Sequence, residues 1–215
     1  MSISQILLFL IIFVTPKITE ISINNFHEIY DYNILKSKLI AKAHQTNNLK
    51  CDFAIRNHDK LSGEIELSEG KYFYNSPKQI IWKYQKASPY SIVLLSTKKH
   101  FIIENNNKNN YDINIDPKFK LLNKVLKQYF NGKCFSTKSY KIKYYKNTTS
   151  YLLQLVSIDN NINNEAQNID LRFNKTDYGL EYIKLNFNNL EFLELEFSQR
   201  YINTKIVKQE FDKYK

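Results

Sequence analysis

Apolar and polar residues alternate with a period of two along most of this chain, beginning near Leu49. Strict alternation predicts β-strands that bury one face. Residues with strong turn preferences, such as Asn75-Ser76-Pro77, interrupt the pattern at short intervals. The alternating segments include Cys51/Phe53/Ile55, Tyr72/Tyr74, Ile80/Trp82/Tyr84, Ile92/Leu94, Phe101/Ile103 and Leu193/Leu195/Phe197. Short strands at this spacing predict an antiparallel meander.

Two segments have the period of a helix instead. Residues 32–47 place Leu35, Leu39 and Ala43 on one stripe, and residues 118–130 place their apolar side chains on one arc, opposite lysines. The sequence therefore predicts a mainly β, α+β fold in one domain: a single curved antiparallel sheet forming a half-open barrel, with helices as lids over its apolar face. Such a sheet can enclose an apolar cavity, and a fully packed core is the alternative.

Positive charge is concentrated in one stretch of the chain. The formal net charge is +10, and residues 117–146 hold nine Lys and no Asp or Glu. Lys120, Lys124 and Lys127 fall on the side of the second helix opposite its apolar arc. They are candidates for docking an acidic partner or lipid headgroups, and an ordinary solvated face is the alternative. Because only three residues are Arg, the usual residue for bidentate phosphate recognition, no nucleic-acid binding is expected.

The N-terminal segment predicts an export signal. Residues 6–14 are nine consecutive apolar residues, and Pro16 follows them shortly afterwards. A bilayer-spanning helix needs about 20 such residues, so this run has the length of the hydrophobic region of a signal peptide. We predict a signal peptide over residues 1–22 and a mature domain over residues 23–215. An uncleaved membrane anchor is the alternative.

The two cysteines, Cys51 and Cys134, have no metal-binding spacing. In an oxidising compartment they are compatible with a disulfide. Two buried thiols are the alternative.

No combination of residues indicates catalysis. The four His are scattered, phosphate-binding glycine motifs are missing, and we expect neither an enzyme nor a bound metal or cofactor. Glu64 and Glu66 alternate with apolar residues, as do Glu194 and Glu196, which predicts that both pairs lie on solvated outer faces. His58 is interpreted as part of an exposed turn.

The most specific motif begins at Gly70. The segment reads Gly70-Lys71-Tyr72-Phe73-Tyr74-Asn75-Ser76-Pro77 and continues Lys78-Gln79-Ile80-Ile81-Trp82-Lys83-Tyr84. The glycine opens a strand, the proline follows seven residues later, and Ile80 and Trp82 are the third and fifth residues after that proline. This spacing resembles the signature of the LolA family of periplasmic outer-membrane lipoprotein carriers, and the Tyr-Phe-Tyr run is most similar to LolA-like chains of Bacteroidetes. The order of elements is similar over residues 32–215.

The resemblance implies a periplasmic protein with an acyl-binding cavity under helical lids. Ile80 and Trp82 are the implied lining residues. The weaker candidates are Tyr84, Leu122, Leu126 and Tyr129. The implied function is a chaperone that carries lipoproteins from the inner to the outer membrane as a monomer. The implied partners are acylated lipoproteins and an inner-membrane lipoprotein-releasing ABC transporter, with an outer-membrane receptor as a further candidate. A lipid- or envelope-sensing regulatory module on the same fold is the alternative.

Overall fold

The computed structural model describes residues 25–77, 79–85, 89–95, 100–136, 138–158, 166–188 and 190–214. The helices within these residues are α1 (Asn33–Gln45), α2 (Pro117–Phe130) and α3 (Lys205–Asp212), with a short 3-10 helix at Lys133–Phe135. The strands are β1 (His27–Glu28), β2 (Asn48–Asp59), β3 (Glu64–Asn75), β4 (Gln79–Tyr84), β5 (Tyr90–Leu94), β6 (His100–Glu104), β7 (Asn107–Asn110), β8 (Tyr140–Lys146), β9 (Ser150–Ser157), β10 (Asn168–Asn174), β11 (Leu180–Asn186) and β12 (Glu191–Ile202).

The twelve described strands form one antiparallel sheet in the order β1-β8-β9-β10-β11-β12-β2-β3-β4-β5-β6-β7. Strands β1 and β7 end this order, so the sheet stays open and does not close into a barrel. The chain passes from β7, at one edge, to β8, next to the other edge, through α2. The predicted fold class, one open antiparallel sheet with helices, is confirmed.

The alternation of residues along the strands gives the sheet two faces. The inner face, which α1 and α2 cover, buries residues from both halves of the sheet, including Phe53, Trp82 and Leu171. Helix α1 contributes Leu35, Leu39 and Ala43, as the sequence predicted. The main core of the protein therefore lies between the inner face and these two helices.

Helix α2 matches the prediction within one residue at its start. Pro117 occupies the first helical position, and the Asp116 side chain accepts a hydrogen bond from the Phe119 backbone N–H at 2.9 Å. This is the arrangement that stabilises helix N-termini. At the other end, Gly132 has a φ of +74°, which a residue without Cβ adopts at little cost.

The sequence did not predict α3, which covers part of the outer face. Val207 and Phe211 of α3 pack on Phe73, Ile81 and Val93 from three neighbouring strands. These three residues alternate with buried inner-face residues, so β3 and β4 each contain three successive apolar or aromatic residues. A strand buried on both faces has this continuous pattern. The pattern was therefore the available signal that a helix lies on the outer face.

An ion pair also ties α3 to β4, between Lys83 Nζ and the Glu210 carboxylate. Burial works against ionisation of Glu210, but hydrogen bonds from Lys83 and Lys213 hold the pKa of its carboxyl below the ordinary value. A carboxyl whose pKa is lowered by folding stabilises the folded state at neutral pH. That contribution is lost as the pH falls through the lowered pKa.

Residues 105–110 interrupt the alternating pattern with an Asn-rich segment that predicts a turn, but only the first two of these residues form it. Asn105 and Asn106 have φ values of +49° and +64° and form the turn. Asn107–Asn110 then pairs with β6 as the edge strand β7. A two-residue turn with positive φ at both positions is the geometry that closes a β-hairpin, and Asn tolerates it well.

The prediction that Glu194 lies on a solvated outer face is also wrong, since Glu194 is 4% exposed. Its carboxylate accepts a hydrogen bond from the Tyr182 hydroxyl at 2.5 Å and lies 2.9 Å from His58 Nε2. His58 is accordingly a residue of β2 rather than of a turn, and its ring stacks on Phe192 at 4.0 Å between centroids. Aromatic rings thus bury the carboxylate while neighbouring polar groups satisfy it.

Cys51 and Cys134 are buried free thiols, which is the second of the two alternatives. Burial raises the pKa of both thiols. A raised pKa keeps a thiol protonated and poorly reactive at neutral pH.

The predicted signal peptide, residues 1–22, lies outside the described residues. The boundary of the mature domain at residue 23 therefore stays a prediction. Among the helices that the structure describes, none has the length and apolar character needed to cross a membrane.

We expect Phe211→Ala to lower the free energy of unfolding by about 3 kcal/mol, because removing a buried ring loses apolar contact and leaves a cavity. Chemical denaturation followed by circular dichroism measures this change. The control is Gln209→Ala on the same helix, at an exposed position, which should change stability by less than about 0.5 kcal/mol. Equal effects of the two substitutions would contradict the packing of α3 on the outer face.

Candidate functional site

The six residues predicted to line a cavity all lie in the interior between the inner face and α2. Three come from β4 and three from α2. With their exposed fractions they are Ile80 (0%), Trp82 (0%), Tyr84 (7%), Leu122 (0%), Leu126 (0%) and Tyr129 (3%). The structure brings all six together in one cluster of buried side chains. Their role in ligand binding stays a prediction.

Trp82 connects the sheet to α2. Its ring contacts Phe53, Tyr72 and Phe119 edge-on, with centroids 5.0, 4.6 and 5.6 Å away. Its indole Nε1–H donates a hydrogen bond to Asn123 Oδ1 at 3.0 Å. Asn123 is in turn fixed on its own helix, because its Nδ2 donates to the Phe119 carbonyl at 2.8 Å. This buried amide was missed in the sequence, although a polar residue between apolar positions of a helix could have indicated it.

Gly70, the first residue of the sequence motif, lies where two strands approach each other closely. A Cβ at this position would lie 1.9 Å from the Lys83 carbonyl oxygen and 3.0 Å from Cε1 of Phe53. Real Cβ atoms do not approach a carbonyl oxygen this closely, so the position requires glycine. The glycine thereby places the Phe53 ring directly beside β4, where the ring contacts Trp82.

The C-terminal end of α2 contacts both halves of the sheet. The Phe130 ring stacks on Tyr74 of β3, with centroids 3.7 Å apart and planes within 6°. The Tyr129 ring lies 5.8 Å from Phe173 of β10. Burial raises the pKa of the Tyr129 hydroxyl. The helix therefore lies across the interior and is held by aromatic contacts on both sides.

The first turn of α2 is held by polar contacts instead. Lys118 Nζ donates to Asn57 Oδ1 at 3.1 Å and lies 3.6 Å from Glu191 Oε2. The other buried side chains of α2, apart from Asn123, are apolar or aromatic. They are Phe119, Leu121, Leu122, Val125, Leu126, Tyr129 and Phe130. The contact between α2 and the inner face is therefore mostly apolar, as a contact with a hydrocarbon chain would be.

A cleft of about 160 Å³ opens beside the first turn of α2. Its walls include Tyr84 and Phe119 from the interior, together with the carboxylates of Glu66 and Asp116. Glu66 is exposed, as predicted, but it faces this cleft on the inner side of the sheet and not the outer side. Ligand sites commonly have about 300–1,000 Å³. The cleft therefore has room for a small group.

The three lysines predicted to dock a partner lie on α2 as expected. Lys120 and Lys124 are exposed, and Lys127 is half-buried. Lys138 and Lys141, which follow in the chain, are also exposed. The structure therefore places a group of cations along the solvent side of the helix whose other side forms the interior.

No protein-family model matches this chain. No curated protein matches it either.

Several solved structures resemble its fold. A LolA superfamily protein from Nitrosomonas europaea is 12% identical, with 79% of this chain and 94% of that chain covered and a TM-score of 0.38. A putative outer membrane lipoprotein-sorting protein domain from Vibrio parahaemolyticus is 9% identical, with 84% and 96% covered and a TM-score of 0.38. The Pseudomonas aeruginosa MucA/MucB complex matches at 10% identity, with 78% and 56% covered and a TM-score of 0.37. Values this low do not assign a function.

We expect Asn123→Ala to lower the free energy of unfolding by about 2 kcal/mol, because it leaves the buried indole N–H of Trp82 without an acceptor. Trp82 is the only Trp in the chain, so its fluorescence follows the unfolding transition directly. The control is Gln128→Ala, a half-buried amide on the same helix, which should change stability by less than about 0.5 kcal/mol. A loss of stability shared equally by the two variants would argue against the hydrogen bond.

Proposed function

We propose that this protein is a periplasmic carrier that binds the acyl chains of lipoproteins between its inner face and α2 and takes them from the inner to the outer membrane. The observation that carries the proposal is the apolar interior between the sheet and α2, which crosses it. Ile80 and Trp82 on the sheet face Leu122 and Leu126 on that helix, and all four are fully buried. In this proposal the acyl chains take the place of the α2 side chains.

The energetics of acyl transfer favour such an exchange. Removing an acyl chain from a bilayer costs about 0.8 kcal/mol for each CH₂ group. An interior made of aliphatic and aromatic side chains offsets this cost. Because α2 covers the same surface when no ligand is present, uptake exchanges one apolar contact for another. Binding and release then need only a modest difference in free energy and no chemical step within the carrier, which supports a binding protein rather than an enzyme.

The proposal includes the location and partners that such a carrier needs. The N-terminal apolar segment would direct the chain to the periplasm. An inner-membrane lipoprotein-releasing ABC transporter would supply the acylated lipoproteins, and an outer-membrane receptor is a further partner. The carrier would act as a monomer, because the apolar interior is closed by helices of the same chain.

The proposal predicts that Asn123→Ala binds a synthetic triacylated lipopeptide more tightly than the unmodified protein does, by about fivefold. The substitution removes a hydrogen bond that exists only while α2 covers the sheet, so it raises the population of the open form. Trp82 fluorescence and calorimetry measure the affinity. The control is Phe211→Ala, which destabilises the protein from the outer face and should leave the affinity unchanged.

Three outcomes would contradict different parts of this proposal. Equal affinity for the lipopeptide and for the same peptide without acyl chains would rule out the carrier. If the protein binds the lipopeptide tightly and Asn123→Ala does not change that affinity, displacement of α2 would be ruled out. A protein that binds the lipopeptide but never moves it from donor to acceptor vesicles would be a lipid sensor instead.

We expect replacement of Lys120, Lys124 and Lys127 by Gln to slow lipopeptide transfer to anionic acceptor vesicles about threefold at low salt. Long-range attraction mainly speeds encounters, so acyl affinity and thermal stability should stay nearly unchanged. Adding salt to about 0.15 M should slow the unmodified protein in the same way, since exposed charges are then screened beyond roughly 8 Å.

The control for charge is the triple substitution of exposed lysines elsewhere, Lys60, Lys205 and Lys213, by Gln. It changes the net charge equally but leaves α2 intact. Equal slowing by both triple variants would mean that net charge acts and that the lysines of α2 have no specific role.

A further inference from the structure

The cleft beside the first turn of α2 lies where the apolar interior meets solvent. Its inner walls are the buried side chains of Ile55, Phe119 and Leu193. Phe119 also contacts the Trp82 ring at 5.6 Å. If the apolar part of a ligand occupies the interior, its polar part can therefore reach solvent through this cleft.

Two carboxylates line the cleft, in a protein with an excess of positive charge. Glu66 extends from β3, and Asp116 precedes α2, where its Oδ1 accepts the hydrogen bond from the Phe119 N–H and its other carboxylate oxygen stays available. Lys118 also lines the cleft, but its Nζ is already engaged by Asn57 at 3.1 Å and by Glu191 at 3.6 Å. The charge left available to a ligand is therefore negative.

Phenol rings form another wall. The rings of Tyr84 and Tyr90 stack with centroids 4.5 Å apart. Tyr84 is 7% exposed, and no other described residue forms a hydrogen bond with its hydroxyl. Burial raises the pKa of both hydroxyls, and the negative charges of Glu66 and Asp116 raise it further. The phenols are thus neutral at physiological pH and lie in the field of both carboxylates.

We propose that this cleft binds a primary ammonium group attached to the acylated ligand. An ammonium donates three hydrogen bonds and has no acceptor, so two carboxylates and a phenol oxygen that forms no hydrogen bond with another described residue suit it. Aromatic faces attract cations as well. An anionic headgroup would instead meet two negative charges. The acyl part of the ligand rests on the proposed carrier function, but the ammonium site has its own geometry and its own test.

The experiment compares tail-matched probes at low salt, dodecylammonium and dodecanoate, each below its micelle concentration. Calorimetry should show dodecylammonium binding about tenfold more tightly, from two partly exposed ion pairs and a cation–aromatic contact. Glu66→Gln should reduce this preference to about threefold. The control is Glu69→Gln on the same strand, where the side chain is exposed and on the opposite face. It should leave the preference unchanged.

The ammonium group has two sources in a cell envelope, a lysine of the acylated peptide or the head of an aminolipid. Palmitoylated peptides that differ by Lys or Gln beside the acylated residue test the first. Lysophosphatidylethanolamine and lysophosphatidylglycerol with equal tails test the second. The pair of probes whose preference for the ammonium member is reduced by Glu66→Gln identifies the source.

The test separates this proposal from the carrier function. Equal affinity for the two dodecyl probes, or a preference that Glu66→Gln leaves unchanged, overturns the ammonium site while leaving acyl binding intact. If neither dodecyl probe binds, the acyl-binding proposal fails. The ammonium site is then tested with two short probes, butylammonium and butyrate. Binding of each probe is monitored through the NMR chemical shifts of the Tyr ring protons. Shifts with butylammonium alone support it, and shifts with both or with neither overturn it.

Discussion

The buried hydrogen bond from Trp82 to Asn123 constrains how the middle of α2 lies on the sheet. An indole offers a large apolar area but also carries one N–H that must find an acceptor when it is buried. Asn123 supplies that acceptor, and its amide is fixed by the carbonyl of Phe119 one turn earlier. A shift of α2 by one residue would place Lys124 against the indole. A lysine ammonium has no acceptor for the indole N–H. The buried amide therefore sets the helix register, while apolar contacts supply most of the affinity.

The strand order gives α2 a second constraint. The segment that contains α2 joins β7, at one edge of the sheet, to β8, next to the other edge. The helix must then cross the interior, and its last turn contacts both halves through Tyr74 and Phe173. Moving α2 away from the sheet would expose the interior without breaking any strand pair. An open sheet with one crossing helix can thus change the contents of its core while its backbone hydrogen bonds stay intact.

Periodicity predicted most of the fold because each strand and both inner helices report their buried face locally. Cys51, Phe53 and Ile55 alternate as a half-buried strand should, and Leu35, Leu39 and Ala43 follow a helical stripe. All six are buried as expected.

The features that periodicity missed depend on neighbours distant in the chain. Helix α3 is recognisable only through the doubly buried strands that it covers. The burial of Glu194 depends on Tyr182 and on His58 of another strand. Likewise, the motif around Trp82 indicated the interior, but nothing in the sequence joined Glu66 to Asp116 across the cleft.

Helix α2 combines three kinds of surface within four turns. Its buried side presents Leu122 and Leu126 to the sheet, its solvent side carries Lys120 and Lys124, and the cleft at its first turn carries Asp116. A partner that attracts the lysines would approach the very helix that must move for acyl chains to enter or leave. Because a bound partner shifts an equilibrium only by its differential affinity for the two states, docking promotes release only if the partner binds the open form more tightly. In the proposed mechanism, the position of α2 therefore couples cargo binding to partner binding, and each must affect the affinity for the other by the same factor.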